Sequence, residues 1–204
     1  MDLALTPEQQ SFRDEVRAWL KENMPRDWTA RVMASSDIPR PEAYGSLDEV
    51  CSILGVVRAA AQDADLKQDP DLKTVIHSIQ EDLFLLGAEL ATAPEDRARF
   101  SVQQITSEHT ARLESLIDER LAKIELPRAF IIPGSSSYIP ALLDWSRAVA
   151  RRGERRVVEL REAGLLDNPE VLKYLNRLAD LLFVLARYQE AVEGKGAVQW
   201  RGRR

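Results

Sequence analysis

Apolar residues recur three or four positions apart along most of the chain, and polar segments rich in proline, serine or glycine separate these stretches. This spacing predicts amphipathic helices. The first helix begins after Thr6, because Thr6 and Gln9 match a capping box and Pro7 fits the first helical position. It ends between Asn23 and Pro25. Its predicted apolar face is formed by Phe12, Val16, Trp19 and Leu20.

Five further helices are predicted, beginning near Ser46, Asp69, Thr106 or Ser107, Ala141 and Asn168. Ser46 with Glu49 matches a capping box, and Asp69 precedes a proline. The apolar positions expected to be buried include Leu72, Val75, Ile76, Ile79, Leu83, Leu86, Leu90, Leu113, Leu116, Ile117, Leu121, Ile124, Val171, Leu175, Leu178, Leu182 and Leu185. No convincing strand pattern accompanies them. The sequence therefore predicts an all-α fold, an antiparallel five-helix bundle with an additional N-terminal helix.

The same pattern predicts three regions along the chain. Residues 1–38 form an N-terminal helix and a linker rich in proline and serine, and residues 39–192 form the bundle. Residues 193–204, rich in glycine and arginine, are expected to be a flexible tail.

Composition narrows the class of protein. The 204 residues carry a net charge of −5, so we expect no nucleic-acid partner on grounds of charge. The chain contains a single cysteine, Cys51, which excludes an intrachain disulfide and fits a reducing compartment. No apolar run approaches the length of a membrane span, and the N-terminus lacks the pattern of a signal peptide. We therefore expect a cytoplasmic protein without a membrane partner.

An unusual cluster of arginines stands out against this acidic background. Residues 147–156 contain five arginines and one acid. On a helix, Arg147, Arg151, Glu154 and Arg155 share one face. The opposite face consists of Val149, Gly153, Val157 and Leu160. Guanidinium groups bind carboxylates and phosphates in a bidentate manner, so the cluster indicates a local site for a polyanion such as a nucleotide triphosphate. The alternative is a solvated or ion-paired helix face.

Several segments, taken in order, resemble the cobalamin (corrinoid) adenosyltransferases of the trimeric five-helix-bundle type. They are Glu42–Glu49, Ile79–Leu90, Leu113–Asp118, the FIIPG loop at residues 130–134, the arginine-rich segment at residues 147–158, and Tyr174–Phe183. The family transfers the 5′-deoxyadenosyl group of ATP to reduced cob(I)alamin and releases triphosphate. The resemblance therefore implies an enzyme with ATP, expected with magnesium, and cobalamin as substrates. It also implies a homotrimer, and product passed on to a cobalamin-dependent mutase.

The resemblance also assigns roles to residues. Those implied to contact ATP are Arg151, Arg152, Glu154, Arg155 and Asn176. Asp48 and Arg147 match a pair that joins two subunits. Phe130 matches the aromatic residue that crowds the lower face of the corrin and favours four-coordinate cobalt. Phe130 and Arg151 are thus the candidate catalytic residues, and no metal site in the protein is expected.

The chain departs from this family at its N-terminal end. A Gly/Thr-rich ATP loop and a following lysine are absent, and residues 31–40 stand before Glu42 instead. This leaves an alternative, a non-catalytic corrinoid-binding or interaction module derived from the family. Residues 1–25 separately resemble the first helix of acyl-CoA dehydrogenases, without any of that family's flavin or catalytic residues. Asp144 stands where the adenosyltransferases frequently have histidine, and Gly153 replaces an alanine.

Overall fold

A computed structural model describes residues 6–23, 40–63, 69–134 and 137–200. Contacts between Cα atoms divide the chain into two units, Met1–Ile38 and Pro39–Arg204. Most of the predicted linker, and most of the segment 31–40 that departs from the resembled family, lie outside the described residues.

The first unit contains helix α1, Pro7–Asn23. The predicted capping box is confirmed, because Gln9 N donates to Thr6 Oγ1 at 3.3 Å and Thr6 N donates to Gln9 Oε1 at 3.0 Å. These two bonds satisfy backbone donors that a helix start otherwise leaves unpaired. At the other end, Asn23 Nδ2 donates to Trp19 O at 2.8 Å, where the helix stops.

The second unit is an all-α bundle, as predicted. Its helices are α2 (Arg40–Asp63), α3 (Leu72–Ala91), the short α4 (Arg97–Phe100), α5 (Ser107–Leu121), α6 (Tyr138–Glu162) and α7 (Glu170–Val192), with a 3₁₀ turn at Pro94–Asp96. Among the described residues no strand occurs, and one isolated antiparallel bridge joins Ile131 to Gln199.

The five long helices alternate in direction. Arg40, at the start of α2, donates to Leu90 O at the end of α3 and to Leu165 O just after α6. At the opposite end of the bundle, Asp144 near the start of α6 pairs with Arg187 near the end of α7. Helix α2 packs on α3 and α6, and α7 packs on α6 and α5. The predicted antiparallel five-helix bundle is therefore the observed architecture.

Burial follows the predicted stripes in α3 and α7, whose predicted apolar positions are all buried. The stripe predicted for α5 is buried only at Leu113, whereas Leu116 and Ile117 are half-buried. These residues are less buried because α5 lies at the edge of the bundle and packs chiefly on α7. A periodic stripe marks the face turned to the core, but the number of neighbouring helices decides how much of it is covered.

Two predicted helix starts need correction. Helix α2 begins at Arg40 rather than Ser46, and Ser46 Oγ donates back to Glu42 O at 2.8 Å within the helix. A serine inside a helix can donate to the i−4 carbonyl, so a capping-box spacing alone does not mark a helix start. Helix α3 begins at Leu72 with Asp71 as its N-cap residue, while Asp69 is buried beneath it.

Asp69 belongs to a buried polar cluster that joins three helices. Gln189 Nε2 of α7 donates to Asp69 Oδ2, and Arg120 of α5 pairs with both Asp69 and Asp71. Burial, followed by the hydrogen bond with Asp71, raises the pKa of Asp69 to about 7. The protonated carboxyl is therefore the form that the fold favours.

This raised pKa predicts a specific pH dependence of stability. Because the ordinary pKa of the group is 3.8, the folded chain binds more protons than the unfolded chain between about pH 4 and pH 7. The contribution of Asp69 to stability is thus fully present below that window and is lost as the pH rises through it. Thermal melts should show the midpoint of the wild-type protein falling relative to Asp69→Asn as the pH is raised from 5 to 8. Parallel curves for the two proteins would contradict the assignment.

The segment predicted as a flexible tail carries a defined backbone pairing. Ile132 N donates to Val198 O and Trp200 N donates to Phe130 O, each at 2.8 Å. The described part of this segment therefore pairs with the loop that holds Phe130.

Candidate functional site

The arginine-rich segment forms the middle of α6, and its predicted packing face is confirmed. Val149, Gly153, Val157 and Leu160 are all buried. A Cβ atom at Gly153 would lie 3.1 Å from Leu47 Cδ2 of α2, closer than most such contacts allow. Glycine at this position therefore permits α2 to approach α6 closely, and Arg151 and Arg155 lie on another side of α6.

Three of the predicted ATP-contacting residues lie together where α6 meets α7, away from the buried packing face of α6. Arg151 Nη1 donates to Glu154 Oε2 at 2.5 Å, and Asn176 Nδ2 of α7 donates to Glu154 Oε1 at 3.2 Å. The Glu154 side chain is 14% exposed, whereas that of Arg151 is 43% exposed. Glu154 thus orients a guanidinium and an amide, and each of these groups has further N–H donors that a ligand could use.

The other two predicted ATP-contacting arginines lie elsewhere on α6. Arg152 pairs with Glu49 of α2, beside a separate cavity of about 480 Å³. Arg155 is exposed and forms no ion pair with any residue that the structure describes. The single chain therefore brings Arg151, Glu154 and Asn176 together. Arg155 lies one helical turn beyond Arg151. The Arg152 side chain points in a different direction, toward α2.

A cavity of about 450 Å³ opens beside Glu154 and Asn176, between α5, α6 and α7. Its lining residues are Thr110, Glu114, Glu154, Val158, Arg161, Leu172, Lys173, Asn176 and Arg177. Seven of these nine residues are polar or charged, and only Val158 and Leu172 are apolar, so the cavity suits a polar or charged ligand.

Three cations of this cavity were not predicted from the sequence. Arg161 lies seven residues after Glu154, which places both on the same face of α6 after nearly two turns. Lys173 and Arg177 lie within one turn of Asn176 on α7, and each pairs with an acid on its own helix at 2.7 Å. Helical spacing from Glu154 and Asn176 could have identified Arg161 and Lys173, whereas Arg177 directly follows Asn176 and does not share its helix face.

Phe130 lies on the exposed loop before α6 and is 81% exposed. Its ring meets the edge of Trp200 with the ring centroids 6.4 Å apart and the planes at 77°. Ile132 and Val198 are also exposed beside this backbone pairing. The loop therefore presents an apolar surface of the kind that binds a large ligand or a partner.

Asp48 and Arg147, predicted to join two subunits, are both exposed. The Arg147 guanidinium lies 5.5 Å from the centroid of the Phe183 ring. Neither residue forms an ion pair with another residue in the described part of the chain.

The described ranges show neither a metal-binding cluster nor a helix that could span a membrane. No group of three or more His, Cys, Asp or Glu side chains is placed there to hold a metal ion. Within the same ranges, every helix is too short or too polar to cross a bilayer.

Comparison with known proteins identifies the family. A family model described as cobalamin adenosyltransferase matches residues 29–189. A corrinoid adenosyltransferase of Citrobacter freundii is 38% identical over 151 residues, covering 74% of this chain and 81% of that protein. The corresponding protein of Bacillus subtilis is 36% identical over 167 residues, covering 80% and 81%. The PduO protein of Salmonella typhimurium is 38% identical over 157 residues, which cover 75% of this chain but only 43% of that longer relative.

Similar solved structures belong to the same family as the sequence relatives. A variant PduO-type ATP:corrinoid adenosyltransferase from Lactobacillus reuteri, complexed with cobalamin and ATP, superposes with a TM-score of 0.71 at 30% identity. The match covers 80% of this chain and 87% of that one. The resemblance expected from the motifs is confirmed, while the likeness of residues 1–25 to acyl-CoA dehydrogenases stays a prediction. The chain belongs to the cobalamin adenosyltransferase family.

Proposed function

We propose that this chain transfers the 5′-deoxyadenosyl group of ATP to the cobalt of cob(I)alamin. The Co(I) electron pair attacks C5′ of the nucleotide, a cobalt–carbon bond forms, and the C5′–O bond breaks. The leaving group is triphosphate, which takes the electron pair of the broken bond. The products are adenosylcobalamin and triphosphate.

The observation that carries this proposal is the arrangement of Arg151, Glu154 and Asn176, in which Glu154 and Asn176 line a cavity and Glu154 holds the Arg151 guanidinium. Negative charge grows on the triphosphate as the C5′–O bond breaks. A guanidinium already oriented by Glu154 would stabilise that charge more in the transition state than in bound ATP. Arg155, exposed one turn along the same helix, would add a second cation. Arg152 would join them only through a movement away from Glu49.

Phe130 supports the corrinoid half of the proposal. Its ring is exposed on a loop with further apolar side chains beside it. We assign this ring to the lower face of the corrin, where it would displace a lower ligand and exclude water. Loss of that ligand favours four-coordinate cobalt, which is easier to reduce to the Co(I) nucleophile. The cobalt chemistry belongs to the substrate, and the protein supplies position and exclusion of solvent.

The proposed reaction also implies a form of the nucleotide, a destination for the product and an oligomeric state. ATP would enter as its magnesium complex, and adenosylcobalamin would pass to a cobalamin-dependent mutase in the cytoplasm. We further propose a homotrimer in which Asp48 of one copy pairs with Arg147 of the next. Both residues are exposed and neither forms an ion pair with another described residue, which supports a pair across a subunit boundary.

A charge exchange tests this pairing. Asp48→Arg and Arg147→Asp should each shift the protein from trimer toward monomer, because each places like charges together at the boundary. The double variant restores opposite charges and should restore the trimer. Size-exclusion chromatography with light scattering measures the mass directly. A wild-type monomer at all concentrations, or a double variant no better than the single ones, would contradict the proposal.

The activity is tested by mixing the purified protein with ATP and chemically reduced cobalamin without oxygen. The visible spectrum should change from that of cob(I)alamin to that of adenosylcobalamin, and triphosphate should appear in equal amount. No adenosylcobalamin at protein concentrations equal to that of the corrinoid would end this proposal.

The alternative is a non-catalytic corrinoid-binding module, and the absence of the Gly/Thr-rich loop and lysine before Glu42 favours it. Equilibrium titrations with adenosylcobalamin and with ATP separate the two functions. The module would bind adenosylcobalamin and not ATP, whereas the enzyme binds both.

A further inference from the structure

Helix α1 exposes an apolar face along its whole length. No residue of Pro7–Asn23 is buried. Phe12 is 68% exposed and Trp19 is 61% exposed, while Val16 and Leu20 are about half as exposed. An isolated helix of this length is marginal in water, because most helical stability in proteins comes from packing of the apolar face. The exposed face therefore indicates that α1 packs against a partner.

The spacing of this face matches the seam of a coiled coil. In a heptad abcdefg, Phe12 and Trp19 occupy d positions, and the a positions are Gln9, Val16 and Asn23. Apolar side chains thus form the centre of the seam, and a polar side chain lies at each end. A polar residue at an a position lowers stability but fixes the register and direction of the helices.

The charges beside the seam favour one direction. The g positions are Glu8, Glu15 and Glu22, and the e positions are Thr6, Arg13 and Leu20. In an antiparallel pair the g positions face each other, which would set glutamates against glutamates. In a parallel pair each g position faces the next e position of the other helix, so that Glu8 meets Arg13 and Glu15 meets Leu20. The sequence of α1 is therefore complementary to a parallel copy of itself.

The contact that Arg13 already makes does not prevent this pairing. Arg13 pairs with the neighbouring Asp14 at 3.0 Å, and both side chains are exposed. Exposed pairs of this kind contribute little to stability. The guanidinium also has further N–H donors that a second carboxylate can use.

The charges of α1 also argue against a membrane as the partner. Its four acids outnumber its three bases, and they are Glu8, Asp14, Glu15 and Glu22 against Arg13, Arg17 and Lys21. Helices that lie on membranes carry a basic polar face, which anionic lipids attract. An acidic helix lacks that attraction, so a protein surface suits α1 better.

Identical copies can bring their α1 helices together. Residues 24–39 connect α1 to α2, and sixteen residues of chain span at most about 50 Å. This reach exceeds the width of a helix bundle, so copies joined through their bundles hold their α1 helices at high local concentration. Cyclic symmetry, the usual arrangement of identical chains, also gives the helices a common direction.

We infer that α1 is an interaction surface for other copies of this chain, and that α1 helices from neighbouring copies pack in parallel along Phe12, Val16 and Trp19. In the proposed homotrimer, three such helices form one short coiled coil. The inference goes beyond the proposed function, because it requires the copies to meet but places no residue of α1 in the reaction.

Cysteine cross-linking in the full chain tests the direction and the register. Cys51→Ser provides a background without thiols, and the seam variants are Gln9→Cys, Val16→Cys and Asn23→Cys. Oxidation with copper phenanthroline should link two chains through each of them, because a parallel register sets each residue beside its own copy. Asp14→Cys, at an outer f position, is the matched control. Its yield of linked chains should be at least about tenfold lower, because its thiols lie beyond the reach of a disulfide.

A second pair of variants tests the apolar seam. Phe12→Asp, combined with Asn23→Cys, places a carboxylate of each copy in the seam and should lower the yield of linked chains at least about tenfold. Ser11→Asp adds the same charge at an outer c position and should leave the yield unchanged. Non-reducing gels measure both yields.

The inference and the proposed function can fail separately. An oligomeric protein in which no seam variant links more than Asp14→Cys would overturn the self-association of α1. Links through Val16→Cys without links through Gln9→Cys and Asn23→Cys would overturn the parallel arrangement. Adenosyl transfer measured on the same samples reports on the proposed reaction independently of these outcomes.

Discussion

Replacing Arg151 by alanine should lower kcat/KM for adenosyl transfer by about 10²–10³-fold, the usual effect of removing one preorganised group that stabilises transition-state charge. Arg151 is held by Glu154 at 2.5 Å and remains 43% exposed, so it is both oriented and accessible to ligand. The loss should appear in kcat as well as in KM, because charge on the triphosphate increases during the reaction. Steady-state rates of adenosylcobalamin formation provide the measurement.

Arg156→Ala is the matched control for this experiment. Arg156 lies on the same helix but pairs with Glu159 at 3.1 Å, and it does not line the cavity. It also lies off the arginine face of α6, which is the face that carries Arg147, Arg151 and Arg155. Its removal should leave kcat/KM close to the wild-type value. Equal losses in Arg151→Ala and Arg156→Ala would show that the general positive charge of α6, rather than the face built around Glu154, supports the reaction.

Replacing Arg187 by methionine should destabilise the bundle by about 3–5 kcal/mol, the usual cost of breaking a buried ion pair. Arg187 is 4% exposed, and it pairs with Asp144 at 2.8 Å and with Glu190 at 2.7 Å. Methionine fills similar space but leaves two buried carboxylates without their cation. Urea unfolding at a fixed protein concentration measures the loss, since an oligomer makes stability depend on concentration.

The control for this substitution is Arg156→Met, which breaks an exposed i,i+3 pair. Such pairs contribute about 0–1 kcal/mol. Burial raises the pKa of Glu190 despite its contact with Arg187, so lowering the pH should recover part of the stability of Arg187→Met by protonating the stranded acids. A loss as small as that of the control would contradict the assigned role of Arg187.

The bundle could be predicted from sequence wherever a helix has neighbours on its whole apolar side. The stripes of α3 and α7 are buried as predicted because these helices line the core. The same periodicity in α5 overestimated burial, since Leu116 and Ile117 lie on a helix at the edge. Periodicity describes one helix, whereas burial depends on the arrangement of several.

Polar contacts between distant segments could not be predicted from local patterns. Glu89 is fully buried and accepts from Ile105 N at 2.9 Å and from Asn168 Nδ2 at 2.8 Å. These partners are 16 and 79 residues away. Nothing in the residues around Glu89 indicates which groups satisfy it. Buried polar groups require partners, but the fold alone decides where those partners come from.

The candidate site was predicted in part. The spacing of Arg151, Glu154 and Arg155 on one helix face was sufficient to propose an anion site, because helix geometry fixes the direction of each side chain. Asn176 required the resemblance to the family, since its contact with Glu154 joins two helices. Arg161 was omitted although it lies on the same face as Glu154, and Arg152 was grouped with Arg151 although it points toward Glu49.

The central claim is that the arginine face of α6 binds the triphosphate of ATP, and a direct titration tests it most simply. ATP should bind the wild-type protein saturably, with an affinity that falls as salt is added, because opposite charges are being paired. Arg151→Ala should bind ATP far more weakly at the same salt concentration, while Arg156→Ala binds as the wild type does. Absence of saturable binding to the wild-type protein, or equal affinity in Arg151→Ala, would contradict the account.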